Sequence, residues 1–386
     1  MGVKDFSKAF TCKEVSLKTL KGKRIAIDMM GEIWRAALGA KSVSTLTDQA
    51  GLPTMHLSVI MANLVEYKKH DIDIICCFDY DRKGNQTVTI KHQEIEKRRA
   101  ARKVAQDNLD KLTAATTSTT STSSKLENLD ELSEDDVERK IRELESKISQ
   151  KESIEDTESK INSLGKRAFS VQSYMIEDIK FMLDCLNIKY VSAPEGFEGE
   201  YMCVFLEKLG LVDGVLSCDT DPIPFGAINL YRRQLGKGKA TKEKLFNWYN
   251  QQDILRQIRE NSTKKYDKDL DDDSDDDKEK NEEKRDIGHI RKICVLLGCD
   301  FVGRHSGMGP KTVMKKYVGV ELNEEQQAAF DHYAKVITDE PYEIFNRDKT
   351  AFENCRHEDL ISWLVDVKSF TRARTVKTLG RCIDIE

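Results

Sequence analysis

The sequence predicts an α/β protein: a mostly parallel central sheet with helices on both faces. Three observations carry this. Apolar, strand-like runs alternate with helix-like stretches along the chain. Those runs are closed by acidic residues at five separate places. In a parallel sheet such residues would share the carboxyl edge, where α/β proteins keep their functional groups. At 386 residues the chain is long enough for one large domain of this kind or two smaller ones.

The first run, Lys23–Ile27, ends in Asp28. A helix is predicted over 55–68, with Met55, Val59, Ala62 and Val65/Glu66 on helical spacing. The second run, Ile74–Phe78, ends in Asp79. Residues 91–112 read as a charged helix, and 113–124 as a Thr/Ser tract that cannot support a core. Residues 126–163 read as an acidic helix or helix pair. The globular pattern resumes near Phe169. An amphipathic helix over 171–186 leads into a strand at 188–193, followed by Glu198 and Glu200. A further strand unit over 212–231 carries Asp219 and Asp221 just past Val215–Cys218. Pro222 and Pro224 argue against a helix directly after Asp221. Residues 264–284 are predicted as an acidic disordered insertion. A helix over Ile287–Leu297 follows, and the apolar run Val295–Cys299 is closed by Asp300 and a Gly-rich turn. The remainder, 311–381, reads as mostly helical and ends with five basic residues between Lys368 and Arg381. There is no internal repeat.

The chain is 39% hydrophobic, enough for a real core. Its charged fraction of 33% exceeds the usual ~25%. The net charge of −5 conceals an uneven distribution: 267–283 carries −8 and 126–138 carries −7, leaving +10 on the rest. The folded part is therefore basic, as polyanion binding requires. Ten cysteines show no C-x-x-C pair, so neither a disulfide framework nor a zinc site is expected. Cys76 and Cys77 read as small core residues. The start lacks an apolar signal core, Phe6 breaks the myristoylation pattern, and no apolar run reaches the ~18 residues of a membrane span. A soluble protein of a reducing, intracellular compartment is expected.

The seven carboxylates Asp28, Asp79, Glu198, Glu200, Asp219, Asp221 and Asp300 point to chemistry. A buried unpaired carboxylate is costly. Several at one sheet edge form a cage that cations neutralise, and hard oxygen ligands suit Mg²⁺ or Mn²⁺. The corresponding reaction is two-metal phosphodiester hydrolysis.

At these residues the chain resembles the flap endonuclease branch of the XPG/flap-endonuclease 5′ nuclease family. The resemblance rests on the opening Met-Gly, Ile-Ala-Ile-Asp28, Phe78-Asp79, Ala193-Pro194 before Glu198-Gly-Glu200, Asp219-Thr-Asp221 with Phe225-Gly226, and Leu296-Leu-Gly-Cys-Asp300. It continues into Gly307-Met-Gly309-Pro-Lys311, and spans roughly 1–103 and 169–320. The family pattern Ala-Pro-Ser-Glu-Ala-Glu is here Ala-Pro-Glu-Gly-Phe-Glu-Gly-Glu, with two residues inserted and Glu195 as a spare acid. The surviving Glu-x-Glu spacing, with Cys203 after it, assigns the pair to Glu198 and Glu200.

The resemblance implies a PIN-like 5′ nuclease core, a helical cap or arch insertion and a C-terminal helix–two-turn–helix region. The expected organisation is a nuclease region over 1–103, a cap extension over 104–168, an internal nuclease region over 169–263, the acidic insertion over 264–284, and the helix–two-turn–helix with a helical C-terminal region over 285–386. It implies two Mg²⁺ (or Mn²⁺), one near Asp28, Asp79, Glu198 and Glu200, the other near Glu200, Asp219, Asp221 and Asp300. Lys91 and Arg98 match arch residues that contact the scissile phosphate. On charge alone, 91–103 reads equally as a solvated helix face. Trp34 matches an aromatic that stacks on a base near the cut, its plain alternative being core packing. Lys41 would serve the wedge that splits the duplex. Gly307, Gly309, Lys311, Lys315 and Lys316 would bind duplex phosphates, and the same turn would hold one K⁺.

The implied activity is cleavage of DNA at a 5′ flap or junction in replication and repair. A 5′→3′ exonuclease or junction resolvase of the same superfamily and a catalytically silent DNA-binding scaffold stand as alternatives. A monomer in the nucleus, or in a viral replication compartment, is expected. The family's sliding-clamp box has no match in the tail, which implies a divergent or viral lineage, or recruitment by another partner.

Overall fold

The computed structural model describes residues 2–38, 47–80, 92–117, 159–161, 163–234, 244–261, 278–337 and 356–380. A seven-stranded sheet organises them. Its strands are β1 (Lys13–Ser16), β2 (Arg24–Asp28), β3 (Asp73–Phe78), β4 (Lys189–Ser192), β5 (Gly214–Ser217), β6 (Asn229–Arg233) and β7 (Leu245–Asn250). The order is β1-β7-β6-β5-β2-β3-β4. Strands β2 to β6 pair in parallel, as expected. Two strands were not anticipated: β7 runs antiparallel to β6, and β1 antiparallel to β7. β1 is the edge strand and β7 lies between it and β6; both are only partly buried and mixed in composition, so neither shows the apolar run that marks β2 or β3.

The chain leaves β2 toward β3 and β4, then returns to β5 on the other side of β2. The direction of winding therefore reverses between β2 and β5. A crevice opens at the carboxyl ends of strands at such a reversal. Asp28 ends β2, and Asp219 and Asp221 follow β5.

The helices are α1 (Phe6–Ala9), α2 (Met29–Leu38), α3 (Met55–Lys69), α4 (His92–Thr117), α5 (Ser173–Cys185), α6 (Gly199–Lys208), α7 (Pro222–Phe225), α8 (Gln251–Asn261), α9 (Lys278–Leu297), α10 (Pro310–Lys316), α11 (Glu324–Ala334), α12 (His357–Ser362) and α13 (Arg372–Leu379). Strand side chains alternate between two cores. Ala26, Ile75, Val191 and Val215 face one core, closed by α6 to α11. Ile25, Ile27, Ile74, Cys76 and Leu216 face the other, closed by α2, α3, α5, α12 and α13.

Five local expectations need correction. Helix α3 forms and Val65 is buried as expected, but the buried stripe is otherwise Leu57, Ile60, Met61, Leu64 and Tyr67, with Met55 and Val59 only partly buried and Ala62 exposed. The run before Asp300 is the end of helix α9, not a strand; every residue of Val295–Leu297 is buried, and a fully buried run has no periodicity to tell helix from strand. The acidic insertion gives way to helix earlier than expected, since α9 begins at Lys278. Helix α4 continues through Thr117, into the Thr/Ser tract. Finally, a one-turn helix does start directly after Asp221, with Pro222 at its first position. The first helical N–H groups have no intrahelical acceptor, so proline there and at Pro224 forfeits no hydrogen bond.

Candidate active site

The carboxyl edge gathers the predicted acids from β2, β3, β5, α6 and the end of α9. Asp28 is buried on the last residue of β2. One carboxylate oxygen accepts the Met30 N–H at 3.1 Å, and the other accepts from the Ser217 hydroxyl at 3.2 Å. Asp79 follows β3 and accepts the Gly199 N–H at 2.8 Å. A Cβ on Gly199 would lie 3.1 Å from the Phe78 carbonyl carbon, so this glycine lets α6 start directly against the end of β3. Glu198 is the N-cap of α6, and Glu200 lies in its first turn. The two inserted residues are absorbed upstream, in a turn closed by the Phe197 N–H to the Pro194 carbonyl with Gly196 at φ +84°. Glu195 points into solvent.

Asp219 and Asp221 occupy the loop after β5. The Asp219 N–H donates to the Ser217 oxygen at 3.0 Å, and the Thr220 N–H donates to the Asp219 carboxylate at 2.7 Å. Asp300 accepts the Gly2 N–H at 3.3 Å. Gly2 has φ +79°, and a Cβ there would stand 1.8 Å from an Asp219 oxygen, so only glycine fits.

Mutual repulsion links all seven acids. Asp28 is pushed up to about 7, by burial first and then by Asp79, with Asp219 adding. Burial raises Glu200 well above the carboxylate range, and Asp219, Asp28, Asp221 and Glu198 raise it further. Asp219 is raised by burial, and Asp300 adds to it. Glu200 thus stands in the middle of the set. Among the described residues, no three acid, His or Cys side chains already stand at metal-holding spacing. Buried carboxylates that repel one another fit hard divalent cations such as Mg²⁺.

Sequence reading missed several residues here. Ser217 is fully buried, and its hydroxyl stands 3.2 Å from Asp28 and 3.1 Å from Glu200. It has one proton to share between two carboxylates. Glu32, one turn after Asp28, is buried between Arg35 and Arg233 and accepts from the Cys218 thiol at 3.4 Å. Burial opposes its charge, but Arg233 and Arg35 hold it below the usual carboxylate range. Tyr333 donates to Asp221 at 3.1 Å from within the core. No local pattern flags a serine, tyrosine or glutamate brought in by topology.

Trp34 on α2 is 38% exposed, so core packing does not account for it. Lys41 and Lys91 lie outside the described residues, as does the Arg98 side chain, although Arg98 sits in α4. Gly307 takes φ +74°, and Gly309 is the N-cap of α10. Lys311, Lys315 and Lys316 are exposed along that helix.

The XPG N-terminal domain model matches residues 1–105, and the XPG I-region model matches 187–300, more than half of the chain between them. Flap endonuclease 1 of Trypanosoma brucei brucei is 26% identical over 396 residues, covering 96% of this chain and 80% of the relative. That of Glycine max is 23% identical, covering 99% and 86%. Among solved structures, the catalytic core of Rad2 in complex with DNA substrate superposes with a TM-score of 0.57 at 17% identity, over 99% of this chain and 100% of that one. Flap endonuclease-1 from Methanococcus jannaschii does so at 0.56 and 17%, over 97% and 96%. Both share the fold.

Proposed function

The chain belongs to the XPG/flap-endonuclease family, and on that premise we propose that it is a structure-specific 5′ flap endonuclease acting on DNA at single-strand/duplex junctions. The observation that supports this reading most is the mutually repelling set of seven acids at the β2/β5 crevice. The family is divalent-metal dependent. We assign two Mg²⁺ or Mn²⁺ to this chain, one to Asp28, Asp79, Glu198 and Glu200, the other to Glu200, Asp219, Asp221 and Asp300. Bound there, the ions would supply Lewis acidity to the scissile phosphate and a readily ionised water for in-line hydrolysis. The products are a 3′-hydroxyl and a 5′-phosphate.

The protein's own groups set up that reaction. Ser217 holds Asp28 and Glu200 at fixed separation. Lys91 and Arg98 offset charge developing on the phosphate. Trp34 offers an exposed ring on which an unpaired base near the cut can stack. Lys41 acts in the wedge that splits the duplex. The turn Gly307–Lys311, with Lys315, binds duplex phosphates without reading sequence. Its backbone carbonyls would hold one K⁺ if that ion binds there. The cap over 104–168 passes the free 5′ end. The enzyme works as a monomer, in the nucleus or a viral replication compartment.

Cleavage of end-labelled flap, gapped, nicked and four-way substrates in Mg²⁺, with product mapping, tests the reading. Preferred incision at the base of a 5′ flap is expected. Stepwise mononucleotide release would make it an exonuclease, paired symmetrical cuts in four-way DNA a resolvase, and no cleavage a DNA-binding scaffold.

A further inference from the structure

The helix α11 touches both ends of the DNA-processing apparatus. At its start, Asn323 and Gln326 form a capping box, each side chain bonded to the other's backbone N–H. Gln326 is buried, and its carbonyl oxygen also lies 3.1 Å from Nδ1 of His305. His305 opens the Gly307–Lys311 turn: its N–H donates to the Leu296 carbonyl, and its carbonyl accepts the Met308 N–H. At the other end of α11, seven residues and ~10 Å along the axis, the Tyr333 hydroxyl donates to Asp221 Oδ1 at 3.1 Å. Tyr333 has no exposed surface, and Asp221 is 2% exposed. The Tyr333 ring is clamped edge-on by Phe225, at 4.9 Å, and Phe301, at 5.1 Å.

This bond spans 112 positions of sequence. A carboxylate in a loop can turn about its Cβ–Cγ bond. A donor fixed in a packed aromatic cluster stops that rotation and holds one oxygen in place. Partners that orient a ligand are typically worth ten- to hundredfold in metal affinity. We propose that Tyr333 is a positioning residue for Asp221, and that α11 is the strut tying the orientation of this carboxylate to the duplex-binding turn. The proposal rests on the reading of Asp221 as a metal-holding residue.

Tyr333→Phe removes the hydroxyl and keeps the ring. Mn²⁺ binding to the DNA-free protein, followed by electron paramagnetic resonance, is expected to weaken about tenfold. The metal-free melting temperature should stay close to the parent's. Unchanged Mn²⁺ affinity would overturn the proposal. A second measurement does not depend on the Phe variant folding. With 3-fluorotyrosine at position 333, the ¹⁹F resonance is expected to shift on Mg²⁺ titration, and a resonance that does not move would overturn it equally. Asp221→Asn separates the two layers. If that variant binds Mn²⁺ as the parent does, the reading of Asp221 fails. If it binds weakly while Tyr333→Phe binds normally, only the positioning role fails.

Discussion

Asp28 carries a proton to about pH 7 because burial and Asp79 penalise its charge. Its ordinary value is 3.8, so between roughly pH 4 and 7 the folded state binds a proton that the unfolded chain has released. Stability from this group is therefore present at low pH and lost as pH rises through 7, at up to ~1.4 kcal/mol per pH unit. Glu200 and Asp219 act in the same direction. His56 opposes them, since burial lowers it to about 4 and disfavours the charged form in the same window. The difference made by Mg²⁺ cancels such distant groups. The rise in melting temperature on adding Mg²⁺ is expected to be larger at pH 8 than at pH 5, and Asp28→Asn should flatten that dependence; thermal melts with and without Mg²⁺ at both pH values check it. Ser217→Ala should raise the Mg²⁺ needed for half-maximal single-turnover cleavage about tenfold, the usual scale for a group that orients metal ligands. An unchanged Mg²⁺ titration would leave Ser217 a structural residue only. Asp28, Asp79, Asp219, Asp221 and Asp300 were legible in the sequence because they follow buried runs, and Glu198 and Glu200 because the Glu-x-Glu spacing survives. Ser217 and Tyr333 were not, because their roles exist only once β5 lies beside β2 and α11 packs over α7.

At the scale of elements, strands β2, β3 and β5 were readable because they are short, apolar and buried on both faces. Helix α3 was readable as a helix but not by face, because polar His56, Ser58 and Asn63 lie among its buried residues and blur the stripe. Helix α7 was missed through a rule applied one position too early: proline breaks a helix interior, whereas Pro222 begins one. Of the two residues proposed to contact the scissile phosphate, Arg98 sits in the charged helix α4 and Lys91 lies outside the described residues. Alanine at Lys91 or Arg98 is expected to slow single-turnover cleavage roughly a hundredfold, ~3 kcal/mol, with little change in binding. Stopped-flow cleavage beside a binding titration in Ca²⁺ separates these quantities. A loss confined to affinity would make α4 a plain phosphate-binding helix.

For the whole molecule, the sheet's winding reversal decides where chemistry happens, because it brings the ends of β2 and β5 to one crevice. The chain also carries a strongly acidic tract, while the rest of its sequence is net basic. Residues 267–277 carry a net charge of −7 and precede α9. Replacing them with a short Gly/Ser linker is expected to preserve the melting temperature and to raise affinity for plain duplex at low salt, with the gain fading as salt screens the repulsion. A salt titration of both forms checks it; equal affinity at low salt would place the tract away from the DNA face. The most direct measurement compares the parent with Asp219→Asn and Asp300→Asn on one end-labelled 5′ flap in Mg²⁺, with DNA affinity measured in Ca²⁺. Both variants should bind the flap as well as the parent and fail to cut it. Near-normal turnover by either would contradict a metal-holding role for that carboxylate.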